Sequence, residues 1–292
     1  MTPNLKGACL MMASMASFTM NDAVVKLITE DVPLFQFVLI RGLLTTALMA
    51  ATAYAFGGLS LRIPRADRPR VALRTFFEIG SMVAFLSALV NMPIANATAI
   101  LAALPLSITV GAAVFFGEPL GWRRITATLI GAVGVLMIVQ PGTDGFNAHS
   151  LWALVAVVLV TGRDLVTRGF SDDVPSMGVA VITAFAVSLV GGVLSTREAW
   201  VAFDGYSLVL LMLASVLIIG GYVFSILVMR VGEVSVVAPF RYSALVFALI
   251  LGLVIFSEWP NGLALCGALI VVATGIYTLI REQRLSRRQT LG

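Results

Sequence analysis

A chain of 292 residues with 59% hydrophobic and only 12% charged side chains, at a mean hydropathy of +1.01, has too little polar surface to cover a soluble globule of its length. It reads as an integral membrane protein. Its net charge of +4 is therefore no sign of nucleic-acid binding, because basic residues in such a protein chiefly report topology.

About 20 apolar residues cross a bilayer as a helix, and ten such stretches follow one another along the chain. The short alternating segments of a membrane barrel are missing from the sequence. Span 1 (5–27) follows Lys6 and holds Ala13-Ser14-Met15-Ala16, the small-residue pattern of a signal-peptide cleavage site. It also carries Met11, Ser14 and Phe18 on one candidate face, then Asp22 and Lys26 near its end. Span 2 (34–56) carries Arg41 at the depth of Asp22, so that an Asp22 to Arg41 pair would lock that side. A local Asp22 to Lys26 pair, one helical turn apart, competes with it. Span 3 (70–91) places Glu78 about eight residues, or roughly 12 Å, from its near end, followed by Gly80, Met82 and Phe85. Span 4 (94–116) has Pro105 at its middle, where a proline removes a backbone hydrogen bond and kinks the helix.

Span 5 (121–140) carries Ala127 and Gly131 at helical spacing, matched in span 10 (260–281) by Ala264 and Ala268, which suits close packing within the chain or in a homodimer. Span 6 (149–168) opens on His149, the single histidine, and ends on Arg163 and Asp164. Span 7 (176–195) is apolar; span 8 (207–229) carries Gly220-Gly221-Tyr222; span 9 (233–256) carries Pro239, Arg241 and Tyr242. Cys9 and Cys266 fall in separate apolar runs, which argues against a disulfide or a metal site. Residues 282–292 form a basic tail.

Residues 1–140 recur as 149–281. Asp22…Lys26…Glu30-Asp31-Val32-Pro33 returns 142 positions on as Asp164…Arg168…Asp172-Asp173-Val174-Pro175. Ile79-Gly80-Ser81-Met82-Val83 returns as Ile219-Gly220-Gly221-Tyr222-Val223, and Phe116-Gly117-Glu118-Pro119 as Phe256-Ser257-Glu258-Trp259-Pro260 with one inserted residue. Span 1 aligns with span 6, deep in the chain, so it is expected to be retained rather than cleaved. Five spans per copy is an odd number, so the second copy enters the membrane from the other face. The expected fold is all-α, ten transmembrane helices as two inverted five-helix repeats, the construction of many secondary transporters with a site near the midplane. Duplication kept for structural reasons alone is the bland alternative.

With residue 1 in the cytoplasm, 14 of the 19 Lys and Arg fall on the cytoplasmic side, among them Arg62, Arg65, Arg68, Arg70, Arg74, Arg123 and Arg124. The opposite side has Arg197. That bias sets both termini inside.

The run Asn96-Ala97…Leu104-Pro105…Phe115-Phe116-Gly117-Glu118-Pro119-Leu120…Gly131-Ala132-Val133-Gly134-Val135 resembles the closing helices of an EamA domain. Gly232-Glu233-Val234-Ser235…Ala238-Pro239-Phe240-Arg241-Tyr242…Phe256-Ser257-Glu258…Gly267-Ala268…Gly275 looks like the same domain again. Two such domains in tandem are typical of the drug/metabolite transporter superfamily. The resemblance implies export of small metabolites, often amino acids in bacterial members, across the inner membrane; drugs and nucleotide-type metabolites are the alternative cargoes.

Ionisable groups inside a membrane are costly and are functional candidates. Arg241 suits a substrate carboxylate through its planar fork of donors, and Glu78 suits an ammonium group or a proton. These two are expected to pair near the midplane; a structural pair of Glu78 with Arg74 is the other reading. Arg163 and Asp164 repeat the position of Asp22 and would serve the cytoplasmic side as gate or brace. Met82, Phe85, Tyr222 and Tyr242, with Met11, Ser14 and Phe18, are the candidate lining of an amphipathic cavity. Pro105 and Pro239 are candidate kinks, although Pro105 aligns with Leu245 rather than with Pro239. No catalytic or phosphate-binding motif occurs in the sequence, so an enzyme is not expected; nor is any cofactor. The expected partners are a small-molecule substrate and the bilayer, with proton coupling and a homodimer left open.

Overall fold

The computed structural model describes residues 3–55, 60–117, 122–140, 147–231 and 237–290. It is built of α1 (Pro3–Ile28), α2 (Leu34–Ala55), α3 (Arg68–Leu89), α4 (Ile94–Leu101), α5 (Leu104–Phe116), α6 (Trp122–Val139), α7 (His149–Arg168), α8 (Ser176–Ser195), α9 (Gly205–Val231), a 3-10 turn Ala238–Tyr242, α10 (Ser243–Phe256) and α11 (Gly262–Thr290). Among the described residues, eight stretches are long and apolar enough to cross a bilayer, α4 with α5 counting as one, and the shorter apolar helices 125–139 and 262–278 bring the total to ten. The chain is an all-helical membrane protein.

Contacts divide its connections between two faces. On one, Glu198 caps the start of α2 by accepting from the Phe35 and Gln36 amides, Gln36 bonds Val201, Gln140 bonds Asn261 and Asn147 bonds Asn91. This is the far face. The face that carries the chain ends, the terminal face, is stitched by Asp67, whose Oδ2 accepts from the Ser171 hydroxyl at 2.6 Å, and by apolar contacts among Ile63, Val71, Phe170, Val174 and Val179.

Helix pairing follows an inverted two-fold. α1 packs on α9 and α3 on α7; α2 packs on α8, and α6 on α11. Replacing each span by the one five further on exchanges the first two pairs and leaves the last two unchanged. The close approaches obey the same rule, because Gly80 faces Leu159 and its counterpart Gly220 faces Ser17, the counterpart of Leu159. Small residues serve the α6 to α11 crossing: a Cβ on Gly134 would stand 2.8 Å from the Gly267 carbonyl oxygen, and one on Gly267 would stand 2.5 Å from the Gly134 oxygen. Ala127, Ala264 and Ala268 are buried at the same crossing, so this stripe is used inside the chain.

Two spans are broken at matching places. Span 4 stops at Leu101 and restarts at Leu104, with Pro105 in the first turn of α5, where its missing N–H costs nothing. In the described part of span 9, Val237 is helical, the backbone tightens to the 3-10 turn Ala238–Tyr242 containing Pro239, and α-helix resumes at Ser243. The prolines do not align, but the helices restart at corresponding places, Leu104 and Ser243, within one residue of the 140-residue offset. The restarted helices also end alike, on left-handed residues Gly117 (φ 65°) and Ser257 (φ 53°), 140 positions apart.

The main apolar core lies toward the far face. It joins the ends of α1 (Val24, Val25, Ile28) and α3 (Leu86, Leu89) with the start of α2 (Phe37, Val38), α4 (Ile94, Ile100) and the start of α9 (Leu210, Leu211). The terminal half holds only smaller clusters among the described residues. The far side is thus packed shut.

Because the obstructing atoms are backbone, Gly267→Val is expected to destabilise by about 1–3 kcal/mol, lowering the melting temperature in detergent, whereas Gly262→Ala, which meets open space, leaves it unchanged. At the terminal face, the Ser171 hydroxyl holds the Asp67 carboxyl below the usual carboxylate range, assisted by Arg70 and opposed by burial. A carboxyl with a depressed folded-state pKa stabilises above its unfolded value, and the contribution disappears as pH falls through the folded one. The gap in melting temperature between the parent chain and Asp67→Asn is therefore expected to be full at pH 7 and to close on acidification below the carboxylate range.

Candidate functional site

Charged side chains meet inside the bundle in two groups. The first joins α1 and α2. Arg41 Nη1 donates to Asn21 Oδ1 at 3.1 Å, and Asn21 Nδ2 donates to Asp22 Oδ1 at 3.2 Å. Arg41 therefore reaches Asp22 through an amide rather than in a direct ion pair, and its guanidinium also lies 5.0 Å from the Phe37 ring centre.

The second group joins α3, α7 and α8. Arg163 grips Asp164 through Nε and Nη2, both at 2.8 Å, and reaches Glu78 Oε2 through Nη1 at 3.1 Å. Arg74, one turn before Glu78, lies 3.8 Å from the same carboxylate oxygen and donates to Thr183 Oγ1 at 3.0 Å. Adjacent residues on α7 and i, i+4 residues on α3 supply the charges, and the α3 to α7 packing brings them together. These side chains keep roughly a fifth to two fifths of their exposure (Arg74 19%, Glu78 22%, Arg163 26%, Asp164 38%), so they border accessible space rather than dry core.

Between the groups stands Tyr222 of α9. It lies in the electrostatic field of Arg41 on one side and of Glu78, Arg163 and Arg74 on the other, yet it is 44% exposed. Tyr222 thus presents an accessible ring among charged groups of α2, α3 and α7. Phe18 packs against it edge to face, ring centres 5.4 Å apart, because Gly221 beside Tyr222 leaves room for the Phe18 ring. The result is an aromatic shelf with a cation on one wall and an arginine-carboxylate cluster on the other. Among the described residues, no three His, Cys, Asp or Glu are gathered to hold a metal.

The structure brings together Phe18, Asp22, Arg41, Glu78, Arg163, Asp164 and Tyr222 from the sequence-based set. It separates others. Glu78 takes Arg163 and Arg74 as partners, not Arg241, which lies exposed in the 3-10 turn without a hydrogen bond or ion pair among the described residues. Asp22 pairs directly with neither Arg41 nor Lys26, since Lys26 turns to Glu258. The Ser14 hydroxyl is fully buried and donates to the Gly221 carbonyl at 2.8 Å, clamping α1 to α9. Met11 is buried against Val228 and Val237, and Met82 and Phe85 pack on the far core. The Tyr242 hydroxyl is buried facing Gly275 with no hydrogen-bond partner. His149 bonds its neighbour Asn147 at the far face. Sequence reasoning missed Asn21, and named Arg74 only as the alternative, structural partner of Glu78, a pairing the structure forms beside Arg163. The repeat offset held the clue to Asn21, because Arg163-Asp164 aligns with Asn21-Asp22.

Comparison with known proteins decides the family. Residues 5–140 match the EamA-like transporter family. Over nearly its full length the chain is also similar to the S-adenosylmethionine uptake transporter of Rickettsia prowazekii, 22% identical across 96% of this chain and 94% of that protein. The chain is an EamA-type member of the drug/metabolite transporter superfamily. The pseudopaline exporter CntI of Pseudomonas aeruginosa is 24% identical over 91% of this chain and 94% of its own. A riboflavin transporter of Rhizobium johnstonii is 25% identical over 70% of this chain and 68% of its own. A solved crystal structure 19% identical to this EamA-type chain shares its fold with a TM-score of 0.66, covering 97% of this chain and 98% of that one.

Removing one member of a partly buried ion pair costs more than removing both. Glu78→Gln is therefore expected to destabilise the EamA-type chain by about 1–3 kcal/mol, and Glu78→Gln/Arg163→Gln by less, as read from paired melting curves in detergent.

Proposed function

We propose that this transporter carries small ampholytic metabolites with an apolar or aromatic portion, amino acids and their conjugates first among them, by alternating access across the bacterial inner membrane. The carrying observation is the accessible Tyr222 ring, packed on Phe18 and in the field of Arg41 and of the Arg163, Glu78 and Arg74 cluster, which we read as the wall of the substrate cavity. A flat apolar group rests on the rings, an anionic group answers a guanidinium fork, and an ammonium group answers Glu78 or Asp164. S-adenosylmethionine, the cargo named for the Rickettsia relatives, joins an aromatic base to an amino acid and is of this class. The relatives' names include both uptake and export. Export is the direction we assign here, set in the cell by the gradients of cargo and of any coupled proton.

Residues 1–140 and 149–281 are the two inverted EamA-type units in this reading, and 282–292 is a cytoplasmic tail. Arg62, Arg65, Arg68 and Arg70 at the terminal face support placing both termini in the cytoplasm. The packed far face supports a gated carrier over an open channel, and with the termini in the cytoplasm we read this conformation as inward-facing. Arg241, in the broken stretch of span 9, is a further candidate contact for a carboxylate on its way to the cavity.

Counterflow of labelled phenylalanine, other amino acids and S-adenosylmethionine in liposomes is expected to be saturable for at least one of them. Arg163→Gln and Tyr222→Ala are each expected to lower its kcat/KM by about tenfold or more, and Tyr222→Phe to retain most of it, since the shelf needs the ring. Saturable flux unaffected by either replacement would remove the cavity from the transport path; the lack of flux for every ampholyte in a folded preparation would remove the cargo class.

A further inference from the structure

One ion pair at the far face joins the two halves of the molecule. Lys26, near the end of α1, places Nζ 2.6 Å from Glu258 Oε1 and donates to the Met92 carbonyl at 2.8 Å, with only 11% of its side chain exposed. The other carboxylate oxygen of Glu258 accepts from the Ile94 amide, at the start of α4, at 3.3 Å. Lys26 also lies 4.9 Å from the Phe256 ring centre. Glu258 is held in place by its own backbone: the left-handed turn at Ser257 ends α10 and sends the Glu258 N–H to the Gly252 carbonyl at 2.8 Å. One contact thus clasps α1, the α3 to α4 turn and the end of α10, directly beside the apolar core that shuts the far side.

Both partners belong to the repeated motifs. The repeat places Arg168 at the position of Lys26, Phe116 at that of Phe256 and Glu118 at that of Glu258. Glu118 lies outside the described residues, but the rest of the counterpart is in place: Arg168, at the end of α7, lies 5.3 Å from the Phe116 ring centre at the terminal face. A cation at a helix end set over the ring that closes the broken span of the other half therefore occurs once on each face. Each face also has its own broken helix, and the break lets the end of that helix move without the rest.

We propose that Lys26 and Glu258 form the far-side gate of the transport cycle, opposed on the terminal side by the contact of Arg168 with Phe116. One clasp opens as the other closes. The proposal rests on the alternating-access reading above, but it does not depend on the cargo. Breaking the far clasp shifts the population toward the outward-open state, and breaking its counterpart does not.

The test is access to the cavity from each side. A single cysteine is placed by Tyr222→Cys in a Cys9→Ser, Cys266→Ser background and reacted in sealed vesicles with a membrane-impermeant thiol reagent applied to one face at a time. With the clasp intact, labelling from the far face is expected to be slow. Lys26→Gln or Glu258→Gln is expected to raise it about tenfold, the exchanged pair Lys26→Glu/Glu258→Lys to bring it back toward the starting rate, and Arg168→Gln not to raise it. Glu258→Asp, which keeps the charge but shortens the reach, serves as the far-clasp variant if the neutral replacements fail to fold by gel filtration and melting. Unchanged far-face labelling in a folded far-clasp variant overturns the proposal, as does an equal rise in Arg168→Gln. A labelling response without counterflow of any ampholyte would leave the gate standing and remove the cargo assignment; counterflow without a labelling response would do the reverse.

Discussion

A charge inside the hydrocarbon layer has to be matched or wetted, and Arg163 shows how this chain meets that constraint. Its guanidinium is divided between Asp164 on its own helix and Glu78 on α3, and Glu78 in turn draws Arg74, which is anchored on Thr183 of α8. That chain of contacts ties three helices together. α3 and α7 are close-packed around this cluster, Gly80 against Leu159 and Gly162 against the Phe77 ring, so the charges sit within a tight helix crossing. The charges are tolerable because they are paired and keep part of their surface accessible. Arg41 plays the equivalent part on the other wall, but with Asn21 interposed before Asp22, which leaves a looser grouping. A cargo that brings its own opposite charges can replace water at either wall.

The scaffold is symmetric where it must move and asymmetric where it must recognise. Helix pairs, the glycines at 80 and 220, the breaks of spans 4 and 9 and the left-handed ends at Gly117 and Ser257 all obey the inverted relation. The groups on the cavity wall do not. Glu78 corresponds to Ile218, Arg41 to Thr183 and Arg163 to Asn21. A symmetric frame gives two conformations of similar energy related by exchange of the halves, which a carrier needs if modest binding energies are to move it. An asymmetric wall lets one set of groups hold the same cargo in both.

Much of the fold was legible in the sequence because it follows from one-dimensional quantities. Apolar run length gives the spans, and the 140 to 142 residue offset exposes the repeat. Depth along a helix could also be counted, and it placed Glu78 and Asp22 sensibly. Azimuth could not. Glu78 and Arg241 stand at comparable heights, but height does not decide which helix a side chain faces, and Glu78 turned out to face α7. The same loss of azimuth put Met11 and Ser14 on a cavity face. α1 is apolar on nearly every side, so no periodicity distinguishes the side toward Tyr222 from the side clamped to Gly221. Lys26 looked like a local partner for Asp22 four residues away, whereas its carboxylate comes from 232 positions further on. Pro105 signalled an interruption correctly, but the extent of the interruption at 238–242 needed the backbone, since its proline sits inside a 3-10 turn instead of at the start of the resumed helix.

The central claim is that the cavity recognises both signs of charge on one molecule, and calorimetric titration tests it most directly. For an ampholyte that exchanges in liposomes, the purified chain is titrated with the parent compound, with its carboxyl methyl ester and with its N-acetyl derivative. The account predicts saturable binding of the parent and a loss of about tenfold or more for each derivative, roughly one charge-assisted contact apiece. Equal affinity for all three would contradict it, because the walls around Tyr222 would then be bracing the helices and not reading the cargo.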